Sequence, residues 1–244
     1  MFTLFKKELN FFFNSLIGYI VVGVFLVGMG LFLWFFNGQF NILDMGYANL
    51  DPLFLLSPWI FLFLIPAVTM RIFSEEKRTG TIELLLTRPI SDLTIILAKF
   101  FAAITIVLVA ILPTLIYFFT IYFLSIPVGN VDIAGIIGSF IGLFFLAAVY
   151  VSIGIFSSSI TENQIIAFIL AILLSFFFYS GFSSIGSLKF IGEIGNFINN
   201  LGIAAHYKSI SRGVIDARDI IYFLSVIAVF IFFTRLKLQS RKWA

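Results

Sequence analysis

The chain of 244 residues is 61% hydrophobic and 11% charged, with 34 Phe, far above the roughly 45–50% apolar content of soluble domains, which excludes an ordinary soluble enzyme or binding module. The absence of cysteine excludes disulfides, thiolate chemistry and Cys-based metal sites, and a net charge of +3 reads as membrane orientation rather than nucleic-acid binding. A bilayer core about 30 Å thick takes roughly 20 apolar residues per helix, so the expectation is an all-α polytopic membrane protein with about six spans joined by short loops.

In Met1–Phe13, Leu4, Phe5, Leu9, Phe12 and Phe13 recur at helical spacing, with Lys6, Lys7, Glu8 and Asn10 mostly opposite. The pattern predicts an interfacial helix on the bilayer or, more simply, a polar lead-in to the first span. The apolar run that follows reaches Phe36, far beyond a signal-peptide core, so it reads as an uncleaved span over Ser15–Phe36. Asn37–Ser57 carries Asp44 and Asp51 but no Lys or Arg, as expected of a non-cytoplasmic loop. A second span is expected over Pro58–Met70, extended into Ile72 and Phe73 and kinked at Pro66.

Arg71–Asp92 concentrates the charges of the chain between two apolar runs and must face water. Gly80 and Thr81 provide a break and an N-cap, Glu83 sits in the first turn and Arg88 near the end before Pro89, which predicts a two-turn helix over Ile82–Arg88. Ile82, Leu85 and Leu86 share one face at i, i+3 and i+4. That face is offered either to a partner or to the membrane and the neighbouring spans. Glu75, Glu76, Lys77 and Arg78 stand ready to pair with charges on the same partner.

The apolar stretch Leu93–Ile126 is too long for one perpendicular crossing, so a tilted or kinked third span is expected around Pro113, with Lys99 snorkelling to the headgroups. Division into two crossings would leave a turn in lipid without polar groups to satisfy it. A turn at Pro127–Asp132 leads to a fourth span over Ile133–Phe156, whose Gly135, Gly138 and Gly142 form a smooth face for helix packing or for a dimer. Ser157–Gln164 reads as a polar break, and the fifth span as Ile165–Tyr179. Residues 180–218 form an outer-side cap of short helices, before a sixth span over Asp219–Thr234 and a basic tail.

With both termini on one side, eleven basic residues, Lys6, Lys7, Arg71, Lys77, Arg78, Arg88, Lys99, Arg235, Lys237, Arg241 and Lys242, fall together. Only Lys189, Lys208, Arg212 and Arg218 are left opposite, which makes the shared side cytoplasmic. His206 has no second His or Cys beside it and is expected to be a structural loop residue rather than a metal ligand. Asp216 and Asp219 are expected to cap the sixth span, or otherwise to form a weak cation site. Tyr117, Tyr122 and Tyr150 read as packing residues or as the lining of a pathway.

The pattern E-x-x-x-G-T-x-E-x-L-L-x-x-P, met as Glu76, Gly80, Thr81, Glu83, Leu85, Leu86 and Pro89 after the second of six spans, resembles the ABC type-2 transporter permeases. The resemblance implies one permease domain over 15–244, preceded by an amphipathic elbow helix over 1–14. It also implies a cytoplasmic coupling helix in 74–91 that sits in a cleft of the ATP-binding subunit, and an outer cap over 180–218. The coupling residues would be Glu76, Gly80, Thr81, Ile82, Glu83, Leu85, Leu86 and Pro89. The stretch His206–Ser225 and the RKW end resemble the GldF-type permeases of the gliding-motility transporter of Bacteroidetes, and also the permeases of copper-accessory ABC systems. The implied partners are a dimeric ATP-binding subunit, holding ATP and Mg, and a second membrane subunit or a second copy, all in a bacterial inner membrane.

The chain has no GxxxxGK[ST] loop and no Gly followed by Lys, so it is expected to hold no nucleotide, cofactor or metal and not to be an enzyme. The apolar interiors carry no Asp, Glu, Arg or His, which argues against proton- or ion-coupled transport. A permease, a force-transmitting membrane assembly and an intramembrane enzyme or scaffold are the competing readings. The last is disfavoured by the lack of a mid-membrane His, Asp or Glu pair. Substrate and transport direction are not legible.

Overall fold

The computed structural model describes residues 1–86, 90–188, 194–211, 213 and 216–240, with the side chains of 17 and 84–86 left out. Arg88, Pro89, Arg241 and Lys242 lie outside the described residues, as do the side chains of Leu85 and Leu86. Helices α1 (Phe2–Phe13) and α2 (Leu16–Gly30) are followed by a π-helical turn at Leu31–Phe35. Helices α3 (Asp51–Thr69), α4 (Arg71–Arg78) and α5 (Thr81–Leu86) come next. A long rod then combines α6 (Asp92–Ile111), a 3₁₀ turn at Leu112–Thr114 and α7 (Leu115–Leu124). Helix α8 (Ile133–Ile160) precedes α9 (Gln164–Phe176), which runs through a π-helical turn into α10 (Phe182–Gly186); α11 (Ile194–Asn199), α12 (Ile203–Ile210) and α13 (Ala217–Gln239) complete the chain.

The described residues are all-helical without strands, and they contain six helices long and apolar enough to cross a membrane: Gly18–Phe35, Asp51–Arg78, Asp92–Leu124, Ile133–Ile160, Gln164–Gly186 and Ala217–Gln239. The 28-residue α8 is the central post, packed against α3, α6, α9 and α13. The second, third and fourth spans are mostly buried, whereas the first, fifth and sixth expose most of their surface. Phenylalanines zip the periphery to the centre: Phe145 stacks on Phe223 at 5.8 Å, and Phe230 meets Phe156 at 5.8 Å and Phe178 at 5.2 Å between ring centroids.

Several boundaries differ from the sequence reading, each for a local reason. The second span begins at Asp51, not Pro58. Pro58 has no N–H to donate to the carbonyl of Phe54 four residues earlier, but the buried Tyr207 hydroxyl donates to that oxygen at 2.8 Å and the helix passes through. Ser157–Ser159 are not a loop; they are the buried last turn of α8. Their hydroxyls bond back to the preceding turn, Ser157 to the Ile153 carbonyl at 2.9 Å and Ser159 to that of Phe156 at 2.7 Å, so no polar atom demands a break. The fifth and sixth spans likewise run past Tyr179 and Thr234.

The glycine face of α8 is occupied within the chain. A Cβ on Gly138 would lie 3.0 Å from both the Ile210 carbonyl oxygen and the Gly213 Cα, and one on Gly142 would lie 3.2 Å from Ile210 Cγ2. The stripe therefore admits α12 and the turn that follows it rather than presenting a bare dimer face. Gly213 is at φ +81°, a backbone that L side chains rarely adopt.

Candidate coupling site

Helix α4 continues the second span after a bend at Met70 and emerges on the face of the molecule that carries α1. Its first N–H groups have no intrahelical partner. Ser158 of α8 supplies the acceptor: its hydroxyl oxygen receives the Phe73 N–H at 2.9 Å and the Ser74 N–H at 3.0 Å, and donates to the Met70 carbonyl at 3.0 Å. The arrangement is reciprocal, because the buried Lys77 ammonium donates to the Ser159 carbonyl. A cation there meets the exposed carbonyl end of α8, where the helix dipole favours it. Each helix end thus completes the other.

A second bond ties α4 to α1 and α6. Lys99, fully buried, donates to Glu8 Oε1 at 3.0 Å and to the Ile72 carbonyl at 2.9 Å and forms an ion pair with Glu76 Oε1 at 2.9 Å, with the Phe73 ring centroid 5.1 Å from its nitrogen. Lys7 lies 3.5 Å from Glu76 Oε1 at the rim. Two expectations are overturned here. Lys99 does not snorkel: three acceptors meet it inside the protein. Glu8 is not on the wet side of α1 but 6% exposed; Leu4, Glu8 and Phe12 share a stripe at i, i+4 and i+8, so Glu8 faces the core. Lys77 is likewise engaged within the chain, and of the Glu76 carboxylate Oε1 is taken while Oε2 accepts no hydrogen bond among the described residues.

Gly80, at φ +70°, reverses the chain after α4 in the left-handed conformation that suits glycine. The Thr81 hydroxyl oxygen lies 2.9 Å from that of Thr79 and 3.4 Å from the Glu76 carbonyl, and α5 begins at Thr81. Ile82 does not stand on an open docking face: it is 2% exposed and belongs to the core. It anchors α5, while Thr81 and Glu83 point outward. The structure therefore brings Glu76, Gly80, Thr81, Ile82 and Glu83 to one corner, with Glu83, Thr81 and Gly80 as its exposed members.

On the opposite face, His206 is helical rather than in a loop and tethers the cap. Its Nδ1 lies 2.6 Å from Asp219 Oδ1, its Nε2 lies 2.8 Å from the Asn200 carbonyl, and its ring stacks on Tyr222 at 3.8 Å. Only Asp216 caps α13, accepting the Arg218 N–H at 2.9 Å; Asp219 is taken by His206. Among the described residues no group of His, Cys, Asp and Glu could hold a metal.

The signals for these contacts were present but weak: an acid on the apolar stripe of α1, one lysine in a long apolar run, three consecutive serines at a helix end, and a proline four residues after Phe54. No curated protein matches the chain. The family profile described as ABC-2 family transporter protein matches residues 3–236, from α1 into the last turns of α13. The chain therefore belongs to the ABC-2 transporter family, as a multi-pass membrane permease with no ATPase activity of its own, and its family implies an ATP-binding partner subunit.

Proposed function

We propose that the chain is an outward-moving permease of a bacterial cytoplasmic membrane, with both termini in the cytoplasm and the corner at α5 in contact with a dimeric ATP-binding subunit that carries ATP and Mg. The observation that carries this reading is the double anchoring of α4. Ser158 and Lys77 join it to α8, and Lys99 joins it to α1 and α6. Displacement of α5 is then delivered as rigid-body motion to the second, third and fourth spans together. The basic residues on the α1 side support the orientation.

The test uses Glu83→Lys, an exposed position that can change without unfolding the membrane part. The expected result is roughly tenfold weaker association with the ATP-binding subunit and a loss of stimulated ATP turnover, at unchanged thermal stability. Normal assembly and turnover would count against the assignment. Because the chain has no cysteine, a single Thr81→Cys change also allows clean crosslinking to the partner.

The resemblance of His206–Ser225 to GldF-type permeases supports a finer reading, export or assembly of a gliding-motility-related substrate beside a second membrane subunit or a second copy of this chain. Deletion of the gene should then abolish surface gliding while leaving copper tolerance intact. The reverse phenotype favours a copper-accessory, lipid, polysaccharide or peptide exporter. An assembly with ATP turnover but no vectorial transport would be a force transmitter.

A further inference from the structure

Between α1 and α4 lies a cavity of about 260 Å³ lined by both signs of charge, Lys7 and Arg71 with Glu8, Glu75 and Glu76, beside the rings of Phe11 and Phe12; Glu8 is already bonded to Lys99. Its depth follows from the second span. The 28 residues Asp51–Arg78 extend about 42 Å as a helix, against about 30 Å of hydrocarbon and about 40–45 Å with the headgroups included. Its α4 end therefore stands in the headgroup layer, where the amphipathic α1 also lies.

The charges around the cavity are incompletely used. Lys7 is 3.5 Å from Glu76 Oε1 and 3.8 Å from Glu8 Oε1, and Arg71 Nε is 3.8 Å from Glu75 Oε2 and 3.4 Å from Gln164 Oε1. All of these exceed the roughly 2.7–2.9 Å of a good charged hydrogen bond. Glu75 Oε2 and Glu76 Oε2 receive no hydrogen bond at all among the described residues. The Glu75 side chain is 29% exposed and lines the cavity.

We propose that this cavity binds the headgroup of a phospholipid carrying a primary ammonium, of the phosphatidylethanolamine class, in the leaflet on the α1 side. The phosphate meets Lys7 and Arg71, the ammonium donates to Glu75 Oε2 and Glu76 Oε2, which accept no hydrogen bond among the described residues, and the first acyl carbons lie along Phe11 and Phe12. A cation alone would leave Lys7 and Arg71 unused, and an anion alone would leave the carboxylates unsatisfied. A zwitterion answers both, and choline cannot, since its nitrogen has no N–H to donate. The site is independent of whether α5 meets an ATP-binding subunit.

Native mass spectrometry of the full chain in detergent, titrated with phosphatidylethanolamine, phosphatidylcholine and phosphatidylglycerol of matched acyl chains, tests it. The expected result is about tenfold to a hundredfold preference for phosphatidylethanolamine, falling to parity in Glu75→Gln. Arg71→Gln should weaken retention of phosphatidylethanolamine and phosphatidylcholine alike, and serves if Glu75→Gln fails to fold. Equal retention of the three lipids by the unaltered chain overturns the proposal, and preference for phosphatidylglycerol reduces the cavity to an anion site. Equal displacement by soluble glycerophosphoethanolamine rules out a lipid source. Glu75→Gln that spares lipid retention but abolishes binding of the ATP-binding subunit assigns the carboxylate to a basic side chain of that partner.

Discussion

Replacing Lys99 by methionine keeps the length and apolar stem of the side chain and removes only the charge. In the native protein that ammonium answers Glu8 and Glu76 at 3.0 and 2.9 Å and the Ile72 carbonyl at 2.9 Å, with no access to water. Lys99→Met leaves two carboxylates facing each other in an enclosed site, with only Lys7 at the rim. Removing one partner of a buried pair costs about 3–5 kcal/mol, because the remaining charge is desolvated without compensation. For a chain of this size a loss of 1 kcal/mol lowers the midpoint by about 2–4 °C, so a drop of roughly 6–20 °C is expected in detergent. The control is the triple variant Lys99→Met, Glu8→Gln, Glu76→Gln, in which no charge is stranded, and it should recover most of the loss. A single variant as stable as the native chain, or a triple variant no better than the single, would refute the account of the cluster as a mutually dependent charge set.

Three further outcomes follow from the packing. Gly154→Ala places a methyl 2.0 Å from Thr69 Oγ1 and 2.7 Å from its Cβ, so the α3–α8 contact must open. A destabilisation of about 1–3 kcal/mol is expected as a lowered midpoint, and a neutral result would show that the two helices slide. Tyr207→Phe deprives the Phe54 carbonyl of its donor and should cost about 1–3 kcal/mol. Burial raises the Tyr207 phenol well above its ordinary value of 10. The folded state then holds that proton more tightly than the unfolded chain, so this stabilisation is complete below that pH and is lost as the pH rises beyond it; a difference scan of native against Tyr207→Phe protein reads it. Ser158→Ala removes the acceptor of two buried N–H groups and should lower stability by about 2 kcal/mol or more, together with loss of ATP-driven activity.

Hydrophobic runs carried the fold, because in lipid every backbone polar group must be satisfied within a helix and the runs themselves mark the crossings. Helix ends were misjudged wherever a distant side chain completed them. Pro58 reads as a start until Tyr207 is beside Phe54, and Ser157–Ser159 read as a loop until α4 is beside them. The turn from α4 into α5 was legible through Gly80 and Thr81, whose roles are local. For Ile82 the choice between a partner and the neighbouring spans stayed open, and Glu8 and Lys99 were misread as wet, because burial depends on what packs from elsewhere in the chain. No spacing rule joins residues 91 positions apart.

The bond from Ser158 to the start of α4 has a consequence in time. Phe73 and Ser158 are separated by 85 positions, and synthesis proceeds at about 5–20 residues per second, a delay of roughly 4–17 s. Throughout that interval the N–H groups at the start of α4 lack the acceptor that they meet in the folded protein, and Lys77 has no helix end to cap. The α4 end of the second span is therefore finished only after the fourth span has been made. A nascent chain shorter than this carries the sequence of α4 without the contacts from α8 that complete it in the folded protein.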